Sequence, residues 1–236
     1  MTRDTPPTHP ERISARRAAV RRLSSGAPTD RRADTQRRLL DAGRTVIAEN
    51  GVGGASVGLI TSAAGFSRGA FYSNFQDMDH FVEQLAQREW HIVLAAMDQT
   101  LARVIAQGAV GPAPSSEMDA LPRFVDALLA VIPRDREFYL LWTSLSDFAV
   151  RFPEGSAHLR AAFSQFIQGV AGSLVEALAG LGLDAAVDPR DIVDLAIGVG
   201  ARAVHARLIT DDAHDRDLLE RLLPVLIPAV IRPAHR

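Results

Sequence analysis

The sequence predicts an all-α protein: an N-terminal three-helix, helix-turn-helix head, joined by a long helix to a larger C-terminal helical domain. Three observations carry this. Apolar residues recur at helical spacing from about residue 34 to 231, with no run of strand-like alternation and no repeat period. Breakers separate these stretches: Gly51, Gly65, the segment from Gly108 to Pro114, Pro133, Pro153, Gly180 with Gly182, and Pro189. Finally, Ala64-Gly65-Phe66-Ser67-Arg68-Gly69-Ala70-Phe71-Tyr72-Ser73-Asn74-Phe75 reads as the turn and second helix of a helix-turn-helix.

Residues 1–29 are rich in Pro, Thr, Ser and Arg and are expected to be mostly disordered. Within them, residues 11–23 have the composition of a basic helix that forms on binding. The first ordered helix is expected over 34–50, with Leu39, Leu40, Ala42, Gly43, Val46 and Ile47 on its apolar face and Gly51 as its stop. Ser56 caps a second helix that turns Val57, Ile60 and Ala64 inward. Gly65 supplies the positive φ of a sharp helix stop.

Ser67 caps the third helix, expected over 67–74. Phe71 and Phe75 are four apart and bury together. Arg68 and Tyr72, like Gly69 and Ser73, are four apart on other faces. That surface is small and polar, with one Arg and one Tyr. It suits close approach to duplex DNA, where small residues admit the backbone and polar ones reach base edges and phosphates.

Asp77 caps a fourth helix, in which Phe81, Leu85, Ile92, Val93, Met97, Leu101, Val104 and Ile105 sustain the pattern to about 107. At 1.5 Å per residue it is roughly 45 Å long, enough to link a head to a second core. Further helices are expected at about 119–132, 134–151, 156–181, 190–209 and 214–231. Pro224 should kink the last one, or make it restart at Pro228.

Composition removes several classes of function. The sequence has no Cys, so it has no disulfide framework, thiolate catalyst or Cys metal site, and cytoplasm is the default location. No apolar run reaches a membrane span, and the N-terminus lacks the apolar stretch of a secretory signal. The seven His form no metal-binding spacing, and neither a G-x-S-x-G nor a phosphate-binding loop occurs. No cofactor, metal or catalytic constellation is expected, so the chain is not read as an enzyme.

Charge is uneven. Residues 1–38 hold ten Arg and four acids, for +6, and the remainder holds 16 Arg and 24 acids, for −8. A basic end on an acidic body suits a protein that meets a polyanion at one end. The arm either touches nucleic acid or is a solvated tail. All 26 basic residues are Arg, from which no function follows.

Residues 35–90 resemble the N-terminal domain of TetR-type bacterial transcriptional repressors. The resemblance is carried by Leu39-Leu40-Asp41-Ala42, Gly51, Ser56-Val57, Ile60, the string from Ala64 to Phe75, and the Asp77-capped helix with Phe81. The rest of the chain resembles that family only in helix order and length. The resemblance implies that the first three helices bind DNA and the remainder binds an effector and dimerises. The domains are then a basic arm (1–33), a DNA-binding head (34–80) and an effector-binding and dimerisation domain (81–236). It also places DNA-contact positions on Ser56, Ser67, Arg68, Gly69, Ala70, Tyr72, Ser73 and Asn74. Three positions depart from the pattern: Gln36, Gly58 and Met78 stand where basic residues are common. Their loss weakens phosphate neutralisation, for which the pairs Arg31/Arg32 and Arg37/Arg38, or the arm, would compensate.

Individual residues keep two readings. Arg68 pairs with a guanine edge or only with phosphate. Tyr72 donates to a phosphate or packs on the head. The aromatic set Phe124, Phe138, Tyr139, Trp142, Phe148, Phe163 and Phe166 is ordinary core or partly lines a small-molecule pocket, which the resemblance places among the fourth to seventh helices. Phe124, Phe138, Trp142, Ser146, Asp147, Phe163 and Phe166 are the candidate effector contacts. Ile192, Leu195, Val199, Leu218 and Leu222 are the candidate dimer interface, with small residues from Ala196 to Ala203 allowing close crossing or internal packing. Arg202 and His205 either meet a polar effector or lie at a surface or interface.

The expected function is a ligand-responsive homodimer that binds a pseudo-palindromic DNA operator and is released by a small-molecule effector, with no membrane partner. A ligand-independent architectural DNA binder is the alternative, and it predicts a filled second domain.

Overall fold

The structure is a computed structural model and describes residues 28–110, 121–210 and 218–234. The expected basic helix at 11–23 lies outside them. Nine helices appear among the described residues: α1 (Pro28–Gly54), α2 (Val57–Ala64), α3 (Arg68–Tyr72), α4 (Met78–Val110), α5 (Leu121–Val131), α6 (Arg136–Arg151), α7 (Ala157–Gly180), α8 (Pro189–Ile209) and α9 (Leu218–Ala229).

The helix starts follow from their caps. Ser56 accepts a hydrogen bond from Leu59 N at 3.2 Å and Ser67 one from Ala70 N at 3.2 Å. Asp77, Asp135 and Asp188 cap α4, α6 and α8 through His80 N, Phe138 N and Arg190 N at 2.8, 2.8 and 2.9 Å. Each side chain satisfies a backbone N–H that the first turn leaves unpaired. Gly65 closes α2 in the left-handed region, with φ 71° and ψ 32°.

The first helix starts six residues earlier than the sequence reading placed it, at Pro28 rather than 34. Proline suits a first turn, whose N–H has no partner in any case, and Asp30 lies where the helix dipole favours an acid. Arg31 and Arg32 are therefore helical. Gly51 interrupts the helix as expected, at φ 73° and ψ 166°, and a further turn follows to Gly54. The third helix is shorter than expected. It ends at Tyr72, where Ser73 Oγ and Asn74 Nδ2 donate to the carbonyls of Gly69 and Ala70, both at 2.8 Å.

The head core is aromatic. Phe71, Phe75 and Phe81 are fully buried, with ring centroids 4.8 to 5.3 Å apart. Each buried ring contributes about 1.5–3 kcal/mol, and ring pairing adds roughly 0.5–1.5 kcal/mol. Phe81 reaches α1 because position 43 has no side chain: a Cβ on Gly43 would lie 2.2 Å from Phe81 Cζ.

The long α4 runs from this core into the body and packs along α7. Trp90 stacks on Phe166 with centroids 5.8 Å apart and meets the edge of Phe163 at 5.6 Å. Further along, Ser173 Oγ lies 2.5 Å from Asp98 Oδ1. The helices α8 and α9 cover α5, α6 and α7. The last helix continues through Pro224 and Pro228 as one element, instead of restarting at Pro228. Pro224 is exposed, so the carbonyl its ring leaves unpaired can meet water.

One departure from an all-helical chain is small. Leu183–Ala185 (β1) and Ile231–Pro233 (β2) pair antiparallel, with Asp184 opposite Arg232. The last expected helix, to 231, therefore stops at Ala229 and gives way to β2. No helix among the described residues is long and apolar enough to cross a membrane.

Candidate nucleic-acid interface and cavity

On the head, α2 and α3 present one surface. Ser56, Ser67, Arg68, Gly69, Tyr72 and Ser73 are exposed on it, and Ala70 and Asn74 are half-buried. Tyr72 is 59% exposed, with its ring edge-on to Phe71 at 5.5 Å. Both the packing and the free hydroxyl end that the sequence left open therefore occur together. Not every polar group on this surface is open. The Ser56 and Ser67 hydroxyls cap helices and the Asn74 amide nitrogen holds Ala70 O. Asn74 Oδ1 is buried with no hydrogen-bond partner among the described residues.

Arg68 is the exposed cation at the start of α3. Its guanidinium lies over Gly58, where a Cβ would be 3.1 Å from Arg68 Nη2. The missing base at position 58 thus leaves a shelf for the base at position 68. Arg38, expected as one of the compensating cations, is engaged within the head. Its guanidinium sits 4.6 Å above the Phe66 ring and donates to Ala64 O at 3.2 Å, closing the C-terminal end of α2.

A charged cluster joins α1, α4 and α6. Glu89 is buried, its side chain 7% exposed, between two arginines. Arg88 Nη2 lies 2.8 Å from Glu89 Oε1, and Arg88 Nη1 lies 2.7 Å from Asp41 Oδ1. Arg44 Nε faces Glu89 Oε2 at 3.1 Å, too misaligned for a hydrogen bond, while its Nη1 donates to Glu137 Oε2 at 2.9 Å. Thr45 Oγ1 donates to Glu137 Oε1 at 2.9 Å, and Ser144 Oγ accepts from Val52 N at 2.9 Å. Apart from the neighbours Arg88 and Glu89, these partners lie 45 to 93 residues apart in sequence, so no local pattern announces them.

The body holds a cavity of about 150 Å³ between α4, α5, α6, α7, α8 and α9. Its walls include Val93 and Met97 of α4, Ile132 and Pro133 after α5, Phe138, Tyr139 and Trp142 of α6, Phe166 and Leu174 of α7, Ile192, Ala196 and Val204 of α8, and Leu223 and Ile227 of α9. Of the candidate effector contacts, Phe138, Trp142 and Phe166 line it. Phe124 is fully buried in the core instead. Phe163 packs on Trp90 and on Trp142, at 5.6 and 5.0 Å. Ser146 is not on the wall, and Asp147 pairs with Arg151 at 2.7 Å, which raises the guanidinium's pKa by hydrogen bonding and charge. His205 Nδ1 lies 2.5 Å from the Tyr139 hydroxyl, and Arg202 is exposed.

Among the candidate interface residues, Leu195 and Leu222 are each 37% exposed, and Val199 and Leu218 are half-buried. Ile192 is buried inside its own chain, on the cavity wall, because it points to α7 where Leu195 points outward. Val225, at 68% exposed, extends the outward apolar face on α9. No group of three or more His, Asp or Glu is arranged to hold a metal among the described residues.

A family model described as bacterial regulatory proteins, tetR family, matches residues 39–85, the span of α1 to α4 that builds this head. The head is that of a TetR-family, helix-turn-helix transcription regulator. Solved structures share the TetR-type fold well beyond the head. One, assigned to the TetR-family transcriptional regulators of Mesorhizobium loti, is 20% identical, with 84% of this chain and 96% of that chain covered and a TM-score of 0.62. The reduced form of E. coli NemR is 16% identical over 85% of this chain and 99% of that one, with a TM-score of 0.58. The regulator FadR from Bacillus subtilis, in complex with stearoyl-CoA, is 17% identical over 80% and 97%, with a TM-score of 0.54. No curated protein matches the chain. At these identities the likeness extends to the fold of the TetR-family body and not to its ligand.

Proposed function

We propose that this TetR-family regulator is a homodimeric repressor that releases its operator when a small molecule fills the body cavity. The carrying observation is that the cavity and the head share two helices. On α4, Val93 and Met97 line the cavity, while Phe81, Leu85 and Glu89 pack toward the head. On α6, Phe138, Tyr139 and Trp142 line the cavity, while Glu137 and Ser144 hold α1. An occupant that fits one arrangement of α4 and α6 better than another shifts the orientation of the head by its differential affinity, and by no more.

On this reading residues 34–80 are the reading domain and residues from 81 onward the sensing and dimerising one, in a protein of the cytoplasm. Ser56, Ser67, Arg68, Gly69, Ala70, Tyr72, Ser73 and Asn74 face DNA. A reading helix of five residues touches few bases, so specificity needs two heads on successive half-sites. The outward apolar residues of α8 and α9 support pairing through those helices. A ligand-independent architectural role predicts a filled body, and the cavity counts against it.

The test is selection of an operator from random duplexes by the full chain, followed by footprinting with and without candidate metabolites. Protection of two half-sites about one or more helical turns apart, lost with one class of metabolite, is expected. Protection of a single half-site, or no metabolite effect across a broad set, would overturn it.

A further inference from the structure

The cavity's chemistry says more than that something binds. Among the described residues no charged side chain lines it, and only Tyr139 and Trp142 bring a side-chain nitrogen or oxygen to its walls. A carboxylate or phosphate inside would stand unpaired, which is prohibitive in an apolar site. Two guanidiniums close in sequence to the wall are already engaged. Arg134, next to Pro133 of the wall, lies 2.8 Å from Glu220 Oε1 and donates to Leu129 O at 3.1 Å. Arg207 is bonded to the Arg134 carbonyl. The volume, about 150 Å³, is that at which an aliphatic and aromatic cavity stays dry and takes a benzene-sized guest.

Tyr139 is the wall residue whose polar group has a partner: its hydroxyl meets Nδ1 of the exposed His205, next to the wall residue Val204 and one turn from Ala201. The imidazole fixes the phenol, which keeps a lone pair and, according to the His205 tautomer, a proton to offer.

We infer that the cavity takes a compact, uncharged cyclic hydrophobe with a single hydroxyl or carbonyl group, and that the Tyr139 hydroxyl is its one polar contact. The inference rests on the effector reading of the cavity given above. It disfavours carboxylates and phosphates placed among these apolar walls.

Three probes of one skeleton test it on the full chain: ethylbenzene, para-ethylphenol and para-ethylbenzoate. At pH 7 a phenol is neutral and a benzoate charged. Binding is read by calorimetry and by tryptophan emission, with Trp90→Phe isolating the signal of Trp142. The phenol and the hydrocarbon should bind saturably, and the benzoate at least about tenfold more weakly. Tyr139→Phe should weaken the phenol about three- to tenfold, the size of one hydrogen bond, and leave the hydrocarbon unchanged. Ala196→Phe should abolish both while helical dichroism is kept. Benzoate binding as tightly as the phenol, equal loss of phenol and hydrocarbon in Tyr139→Phe, or no saturable binding of any probe would each overturn the inference. Operator binding separates the two readings. Neutral probes that bind without weakening operator affinity uphold this ligand class and defeat ligand-responsive release. A charged ligand that binds here and releases DNA does the reverse.

Discussion

The guanidinium of Arg44, in the middle of α1, donates to the Glu137 carboxylate in the first turn of α6 at 2.9 Å, and its Nε faces the buried Glu89 of α4 at 3.1 Å. One side chain therefore holds the head to two of the helices that line the cavity. Replacing Arg44 with Met removes one of the two cations beside Glu89 and leaves Arg88 alone to neutralise it. Breaking a buried pair in this way costs about 3–5 kcal/mol, and the remaining Arg88 lowers that to about 2–3 kcal/mol. Urea unfolding of the variant measures it. A loss below about 0.5 kcal/mol would mean that the cluster behaves as a surface pair. Glu137→Gln keeps the packing and should leave stability within about 1 kcal/mol, while weakening the effect of a bound ligand on operator affinity.

Gly43 and Phe81 give a second expectation. A Cβ at position 43 would meet Phe81 Cζ at 2.2 Å, and Phe81 is caged by Phe71 and Phe75. Gly43→Ala gains helix propensity yet should destabilise by about 1–3 kcal/mol, because the ring cannot retreat. Thermal unfolding decides the sign. Since Phe71 sits on the reading helix, operator affinity should fall with it.

Arg68 extends from the reading surface over Gly58. Arg68→Ala should cost about 1–3 kcal/mol in operator binding and relax preference at one position per half-site, if the guanidinium reads a guanine edge. Competition among single-base operator variants measures this. Uniform weakening across the variants would assign Arg68 to phosphate. Gly58→Ala keeps the charge but shifts the guanidinium by a few tenths of an ångström, and should produce a milder loss with the same positional pattern.

Leu222 and Val225 form an outward apolar face on α9, beside Leu195 of α8. Leu222→Arg should give monomers with unchanged helical dichroism and no operator binding at concentrations where the parent saturates. Sedimentation velocity checks the mass. A Leu222→Arg dimer, or a parent that is a stable monomer at micromolar concentration, would rule out pairing through these helices.

Much of the head was legible in the sequence because its signals are local. Ser56, Gly65 and Ser67 are caps whose roles depend on the next three residues, and Phe71 with Phe75 lies within one helical turn. The body resisted for two reasons. Amphipathic spacing assigns a residue to an inward face but does not say whether that face meets core or void. Phe124 and Phe138 look alike in sequence, yet one is packed on all sides and the other lines the cavity. Ile192 and Leu195 are three apart on one helix and point to different partners. The second reason is distance along the chain. The bond of Arg44 to Glu137 spans 93 residues, and the three-residue strands at 183 and 231 are too short to show a period. The early start of α1 was hidden because a proline, which ends helices elsewhere, also suits a first turn.

The short strand pair makes the two sides of the cavity mechanically unequal. It clasps the segment before α8 to the segment after α9, with Ala186 N donating to Val230 O at 2.8 Å and Ala234 N to Gly182 O at 2.9 Å. The ladder ties α8 and α9 together at that end. On the proposed reading, a guest that presses outward should meet a stiffer backing at Ile192 and Leu223 than at Val93 and Phe138. A three-residue ladder would then turn the displacement toward α4 and α6, the helices that carry the head.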